Sequence, residues 1–137
     1  MPRIKLELPD KKLYSTSLTV RISDVNYGGH VGNQVFLAYA HDVRLSFLKS
    51  IDQSELDFFG ASLIMSDSAI VYRKELFHGD TLEVELYSGG LESMGFDLYY
   101  LFKKEQTEVA RVKTGLVFFD YQKRKITTPP KEVKEIL

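Results

Sequence analysis

At 137 residues, 44% of them apolar, the chain has the size of one domain and enough apolar side chains for a real core. Eighteen basic against nineteen acidic residues leave a formal charge of −1, which argues against the strongly basic face that sequence-independent DNA or RNA binding needs. The absence of cysteine excludes disulfides and thiolate chemistry and fits a cytoplasmic protein. No run of ~18 apolar residues marks a membrane span, and the segment from Met1 to Leu6 lacks the apolar stretch of a signal peptide. The basic clusters Arg73-Lys74, Lys103-Lys104 and Lys123-Arg124-Lys125 read as solvated surface.

All four prolines lie near the ends (Pro2, Pro9, Pro129, Pro130). No linker is signalled, and residues 1–137 read as a single domain. Residues 14–24 read as a strand, with Leu18, Val20 and Ile22 alternating against Thr19, Arg21 and Ser23. Residues 33–49 read as a helix, apolar over most of its circumference and therefore buried. Four alternating segments follow: 61–74, 81–88, 94–104 and 109–121. In the third, Met94, Phe96, Leu98, Tyr100 and Phe102 share one face; in the fourth, Ala110, Val112, Leu116 and Phe118 do. Gly89-Gly90 predicts one hairpin and Glu105-Gln106-Thr107-Glu108 another. The tail from Pro130 to Leu137 predicts a short exposed helix. The order is one strand, one buried helix, then four antiparallel strands. A curved sheet wrapped around its helix satisfies it, and its free edge predicts pairing with a second copy.

The densest chemistry lies in Arg21–Asn33 (RISDVNYGGHVGN), where a strand breaks into Gly-Gly and opens a helix. Backbone N–H groups exposed there can hold an anion or a developing oxyanion. Asp24 is a candidate base, or a carboxylate that caps the turn or pairs with Arg21. His30 can polarise a carbonyl or hold a water, or lock the turn. Asn26 can orient water or carbonyl, or serve only the turn. Asp42, on the apolar helix, is a further base candidate, because an unpaired buried carboxylate is costly; the alternative is a salt bridge to Arg44 of a neighbouring subunit or to Arg73. Tyr27, Gly28, Gly29, Val31, Gly32 and Asn33 are the substrate-binding candidates, although the glycines also suit a tight turn. His41 reads as a satisfied core histidine and His78 as a turn residue. The three histidines have no metal-ligand spacing, and the glycine pair lacks the rest of a nucleotide fingerprint.

These residues resemble a known family. The order of elements is similar to the hotdog fold, an α+β class with a curved antiparallel sheet around one long central helix. The stretch Asp24-x-Asn26-x-x-Gly29-His30-Val31-x-Asn33 resembles the signature of the 4-hydroxybenzoyl-CoA and acyl-ACP thioesterase branch, roughly Asp-x-Asp-x-x-Gly-His-Val-Asn-Asn. His41-Asp42-Val43-Arg44, Phe77-His78-Gly79-Asp80 and Val117-Phe118-Phe119-Asp120 are similar to later family elements. The resemblance implies a thioesterase acting on an acyl-CoA or acyl-carrier-protein thioester, as a homodimer or homotetramer. It needs no cofactor beyond the CoA or pantetheine of the substrate. One departure matters: the family's second acidic position commonly supplies the catalytic carboxylate, and here it is Asn26. An amide is neither base nor carboxylate nucleophile at neutral pH. The first Asn of the family's His-Val-Asn-Asn is Gly32 here. A non-catalytic acyl-thioester binding module is therefore the alternative. Hotdog enoyl-CoA hydratases, with Asp-x-Asn-Pro-x-His, fit less well, because the Pro is missing and His30 falls one residue late.

Overall fold

The computed structural model describes residues 2–137. Strand β1 (Lys11–Thr19) leads through a 3-10 turn (Ile22–Asp24) and a loop to helix α1 (Val35–Ser50). Strands β2 (Ser62–Tyr72), β3 (Thr81–Leu91), β4 (Gly95–Lys104) and β5 (Thr107–Asp120) follow, then the two-residue β6 (Lys125–Ile126) and a 3-10 turn (Lys131–Glu135). The sheet is antiparallel, in the order β1-β3-β4-β5-β2, with β6 paired to the end of β5. β2 thus lies at the edge farthest from β1, and α1 is part of the connection between the two edges. The result is the hotdog fold, a curved sheet around one helix.

Helix α1 exists because its apolar residues recur at helical spacing: Phe36, Tyr39, Ala40, Val43, Phe47 and Leu48 are buried. They share one core with the alternating residues of the sheet, among them Val84, Leu86, Leu98, Tyr100, Phe102, Val112, Leu116 and Phe118. The aromatic rings interlock: Phe36 meets Phe102 edge-on at 5.7 Å, and Phe58 stacks on Phe118 at 6.2 Å. Curvature comes with register shifts at Met65/Asp67 in β2 and Ser88/Leu91 in β3. Close strand approach needs glycine once: a Cβ on Gly95 would stand 2.1 Å from the carbonyl oxygen of Leu116.

Several expectations are corrected. β1 ends at Thr19, because the Asp24 carboxylate captures the Arg21 N–H at 2.9 Å and turns the chain. Gly89 and Gly90 lie inside β3 at a bulge, with Gly90 at φ +90°; the hairpin turn is 92–94, closed by Glu92 N–H on the Gly95 carbonyl at 2.7 Å. Met94 therefore sits exposed in that turn rather than on the core face. Five strands, not four, follow the helix. The helix is not buried all round: Gln34, Ala38, His41, Asp42, Leu45 and Lys49 form an exposed stripe. In the tail, Val133 and Leu137 are buried, so the closing turn docks on the core rather than standing free. The Glu105-Gln106 hairpin is as expected. Both residues have positive φ (49° and 68°), the signature of a two-residue type I′ turn.

A polar chain crosses the interior between helix and sheet. Buried Arg44 donates through Nε to Glu55 Oε2 (2.7 Å) and through a terminal nitrogen to the Tyr100 hydroxyl (3.2 Å), which also bonds Thr114 Oγ1 (2.8 Å). Every buried side-chain polar atom among the described residues has a partner. Burial would raise the Glu55 pKa, but the hydrogen bond and charge of Arg44, with help from His41, leave it below the ordinary value.

Candidate active site

The loop from Val25 to Gln34 folds on itself before the helix begins. Val25 and Val31 form an antiparallel bridge. Between them, Asn26 N–H donates to the His30 carbonyl (2.9 Å) and Gly29 N–H to the Asn26 carbonyl (3.0 Å). The Asn26 side-chain oxygen accepts the Gly28 N–H at 2.9 Å, an Asx turn. Gly29 supplies the φ of +85° that closes the loop.

Three predicted residues are brought together here. A Cβ built on Gly28 would lie 3.2 Å from Asn26 Oδ1 and 3.4 Å from His30 Nε2. Both side chains thus face the Cα of Gly28, where an added side chain would crowd them. His30 Nδ1 lies 3.2 Å from the Val31 carbonyl. A carbonyl oxygen can only accept, so Nδ1 carries the proton and the neutral ring presents a lone pair at Nε2. Glu75 Oε1 stands 3.8 Å from Nε2, too far for a hydrogen bond but able to stabilise a charged ring. His30 can therefore accept a proton.

Asp24 has a different situation. It is buried, and its Oδ2 accepts both the Arg21 N–H and the Tyr39 hydroxyl, each at 2.9 Å. Arg21 Nε approaches the same oxygen at 3.9 Å. Burial, then the hydrogen bond to Asp24, raises the Tyr39 pKa well above that of a free tyrosine, so Tyr39 stays a donor. Asp24 is thus built in as the anchor between turn and helix. Asp42 lies exposed on α1; within the chain Arg44 is buried and bonds Glu55, and Arg73 bonds Glu108 at 2.7 Å rather than Asp42.

The backbone donors also differ from the simple expectation. Gly28 and Gly29 N–H close the loop, Val31 N–H donates to the Leu76 carbonyl (2.8 Å) and Gly32 N–H to the Asp24 carbonyl (3.2 Å). At the helix entrance, the N–H groups of Asn33 and Gln34 find no acceptor among the described residues. Gln34 was missed by the sequence reading. Tyr72, at the end of β2, was missed as well: its hydroxyl donates to the Asn33 carbonyl at 2.9 Å. That carbonyl and the Gln34 N–H belong to one planar peptide and point oppositely. Holding the first therefore aims the second.

A pocket of about 250 Å³ opens beside these groups, lined in part by His30, Asn33, Phe36, Tyr72 and Lys74. Of the remaining predicted binding residues, Val31 is buried and lines the pocket's inner side, Gly32 is buried beneath the Gln34 side chain, and Tyr27 stands fully in solvent. No helix among the described residues is long and apolar enough to cross a membrane.

Comparison with known proteins agrees with this picture. Residues 20–137 match the model of the thioesterase-like superfamily. A protein of Aquifex aeolicus (strain VF5) named "Putative esterase" is 28% identical over 120 residues, spanning 86% of this chain and 92% of that one. The crystal structure of a 1,4-dihydroxy-2-naphthoyl-CoA thioesterase from Synechocystis superposes with a TM-score of 0.80 at 21% identity, covering 90% of this chain and 93% of that one. A Staphylococcus aureus protein solved in complex with CoA gives a TM-score of 0.77 at 19% identity, over 92% and 82% of the two chains. At these identities the two structures speak for the fold, whereas the family match spans most of the sequence, site loop included; the chain belongs to the thioesterase-like superfamily.

Proposed function

We propose that the chain hydrolyses an acyl-CoA, or a related pantetheine thioester on a carrier protein, to the free acid and the thiol. The observation that supports it most is that His30 and Asn33 line one pocket at the start of α1, where the Asn33 and Gln34 N–H groups have no acceptor among the described residues. In this reading His30 takes a proton from a water as that water attacks the thioester carbon. The carbonyl oxygen, gaining charge, is held by the two N–H groups and the positive end of the helix. Collapse of the tetrahedral intermediate breaks the C–S bond, and the proton on His30 passes to the departing sulfur. The pantetheine arm leaves through the 250 Å³ pocket. At its rim, exposed Lys74, with no ion-pair partner among the described residues, and Arg73 would meet the CoA phosphates. The CoA-bound S. aureus neighbour is consistent with such a ligand.

The second reading, an acyl-thioester binder without turnover, draws on Asn26 in the acidic slot. A panel of acyl-CoA esters assayed for free thiol, beside calorimetric binding of the same esters, separates the two. Hydrolysis of at least one ester supports the first reading, and binding without thiol release supports the second. We further propose that the β2 edge pairs with a second copy, since its strand has a neighbour on one side only. Light scattering at micromolar concentration then reports a dimer or larger, and a monomer overturns it.

A further inference from the structure

Glu75 lies in the connection between β2 and β3 and lines the same pocket as His30. Among the described residues, its carboxylate is the one that approaches the His30 ring, with Oε1 3.8 Å from Nε2. Asp24 is committed to Arg21 and Tyr39. Position 26 carries an amide, whose oxygen is taken by the Gly28 N–H at 2.9 Å.

The backbone fixes where Glu75 stands. Just before it, the Arg73 and Lys74 N–H groups both donate to the Val109 carbonyl, at 2.8 and 3.1 Å. Just after it, the Leu76 carbonyl accepts the Val31 N–H at 2.8 Å, and the Leu76 side chain is buried. The residue after Glu75 is thus tied to the residue after His30. Affinity does not explain the carboxylate. Arg73 and Lys74 line the same pocket, and a negative charge beside them opposes the approach of CoA phosphates. Stability does not explain it either, because the Glu75 side chain is 64% exposed and an exposed ion pair contributes little.

The separation suits a shared water. A water ~2.8 Å from both Nε2 and Oε1 meets them at roughly 85°, close to the angle between its two O–H bonds. Resting on the thioesterase reading, we propose that Glu75 is a catalytic residue that orients the attacking water and supplies the carboxylate that position 26 lacks. The water donates one hydrogen to Nε2 and the other to Glu75 Oε1, which turns a lone pair of its oxygen toward the thioester carbon. As the C–O bond forms, the first proton passes to Nε2 and the carbonyl electron pair moves to its oxygen. Glu75 takes no proton. Its charge faces the imidazolium that forms, and substrate filling the pocket excludes water and strengthens that attraction.

The test is thiol release by Glu75→Gln and by Asn26→Asp, alone and combined. Glu75→Gln keeps the size and an acceptor and removes the charge. It should lower kcat by about 10-fold with KM little changed, the difference between a hydrogen bond to a charged and to a neutral acceptor. Asn26→Asp sets another carboxylate beside His30, so it should speed release by a larger factor in Glu75→Gln than in the wild type. Equal factors in the two backgrounds, a kcat unchanged by Glu75→Gln, or a change confined to KM overturns the proposal. The unfolding curve of Glu75→Gln should match wild type; a fall in kcat matched by a loss of stability gives Glu75 a structural role and overturns it too. Where the wild type releases thiol, these outcomes bear on Glu75 alone and leave the thioesterase reading standing. A wild type that releases none from any ester overturns both.

Discussion

Changing Tyr72 to phenylalanine removes one oxygen and tests how the site is held. The ring remains edge-on to Phe36 at 5.7 Å, so packing is preserved. Only the 2.9 Å hydrogen bond to the Asn33 carbonyl is lost. A neutral hydrogen bond contributes about 0.5–1.5 kcal/mol net. Tyr72 is 41% exposed, so water can replace the hydroxyl and the stability loss should fall near 0.5 kcal/mol. Burial raises the Tyr72 pKa, so the wild-type residue is a protonated donor at neutral pH. The catalytic effect should be larger than the stability effect. Losing an oxyanion donor outright costs about 10²–10³ in kcat. Here the Gln34 N–H remains but its peptide is free to tilt, so a fall of about 10-fold, or ~1.4 kcal/mol, is expected, with little change in KM. Steady-state thiol release and thermal unfolding on the same preparation check both numbers. A variant that loses stability and keeps kcat would refute the argument that Tyr72 aims a catalytic N–H.

Asp24→Asn should lower stability by about 1–3 kcal/mol, because the charged acceptor shared by Arg21 and Tyr39 is weakened. Asp42→Asn should lie within ~0.5 kcal/mol of wild type; chemical denaturation measures both, and a stable Asp24→Asn with abolished turnover would make Asp24 the base instead. Asn26→Asp keeps an acceptor for the Gly28 N–H and sets a carboxylate beside His30 Nε2, so thiol release should become faster; a folded variant with unchanged or slower release contradicts this. Thermal stability should fall on both sides of a neutral plateau. On the alkaline side, burial raises the Tyr39 pKa, and the hydrogen bond to Glu85 pushes Tyr87 up to about 12. Folded values above the unfolded ~10 mean that this stability is complete below pH ~10 and drains as pH rises through them. On the acid side, the Phe77 N–H and Lys104 lower Asp80, and Tyr87 and Lys103 lower Glu85. Their stability is present above the unfolded carboxylate values and is lost as pH falls through the folded ones. A melting temperature that rises from pH 10 to 12 contradicts the tyrosine assignment.

The parts of the fold legible in the sequence are those with one buried face. Leu82, Val84 and Leu86 alternate because β3 has the helix on one side and polar surface on the other, and β4 and β5 repeat the pattern. β6 escaped because two residues, both exposed, carry no period. Gly89-Gly90 misled because glycine marks bulges as readily as turns, and the choice depends on the partner strand. In the site loop, the crowding of Asn26, Gly28 and His30 was legible from their spacing. Which N–H groups remain unbonded was not, because Val31 is satisfied by Leu76, some forty-five positions away, and Tyr72 reaches Asn33 from another strand. The bond of Glu55 to His41 is equally a product of tertiary folding, which is why a helix histidine among apolar residues read as core.

The central claim is that His30 is the base for thioester hydrolysis, and the variant His30→Asn isolates it. The Asn amide nitrogen occupies the position of Nδ1, so the 3.2 Å hydrogen bond to the Val31 carbonyl and the loop it closes are retained, while the Nε2 lone pair is deleted. Single-turnover thiol release, measured on protein whose unfolding curve matches wild type, should fall by about 10² or more, the range for a lost general base. Release at the wild-type rate from folded His30→Asn would contradict the account.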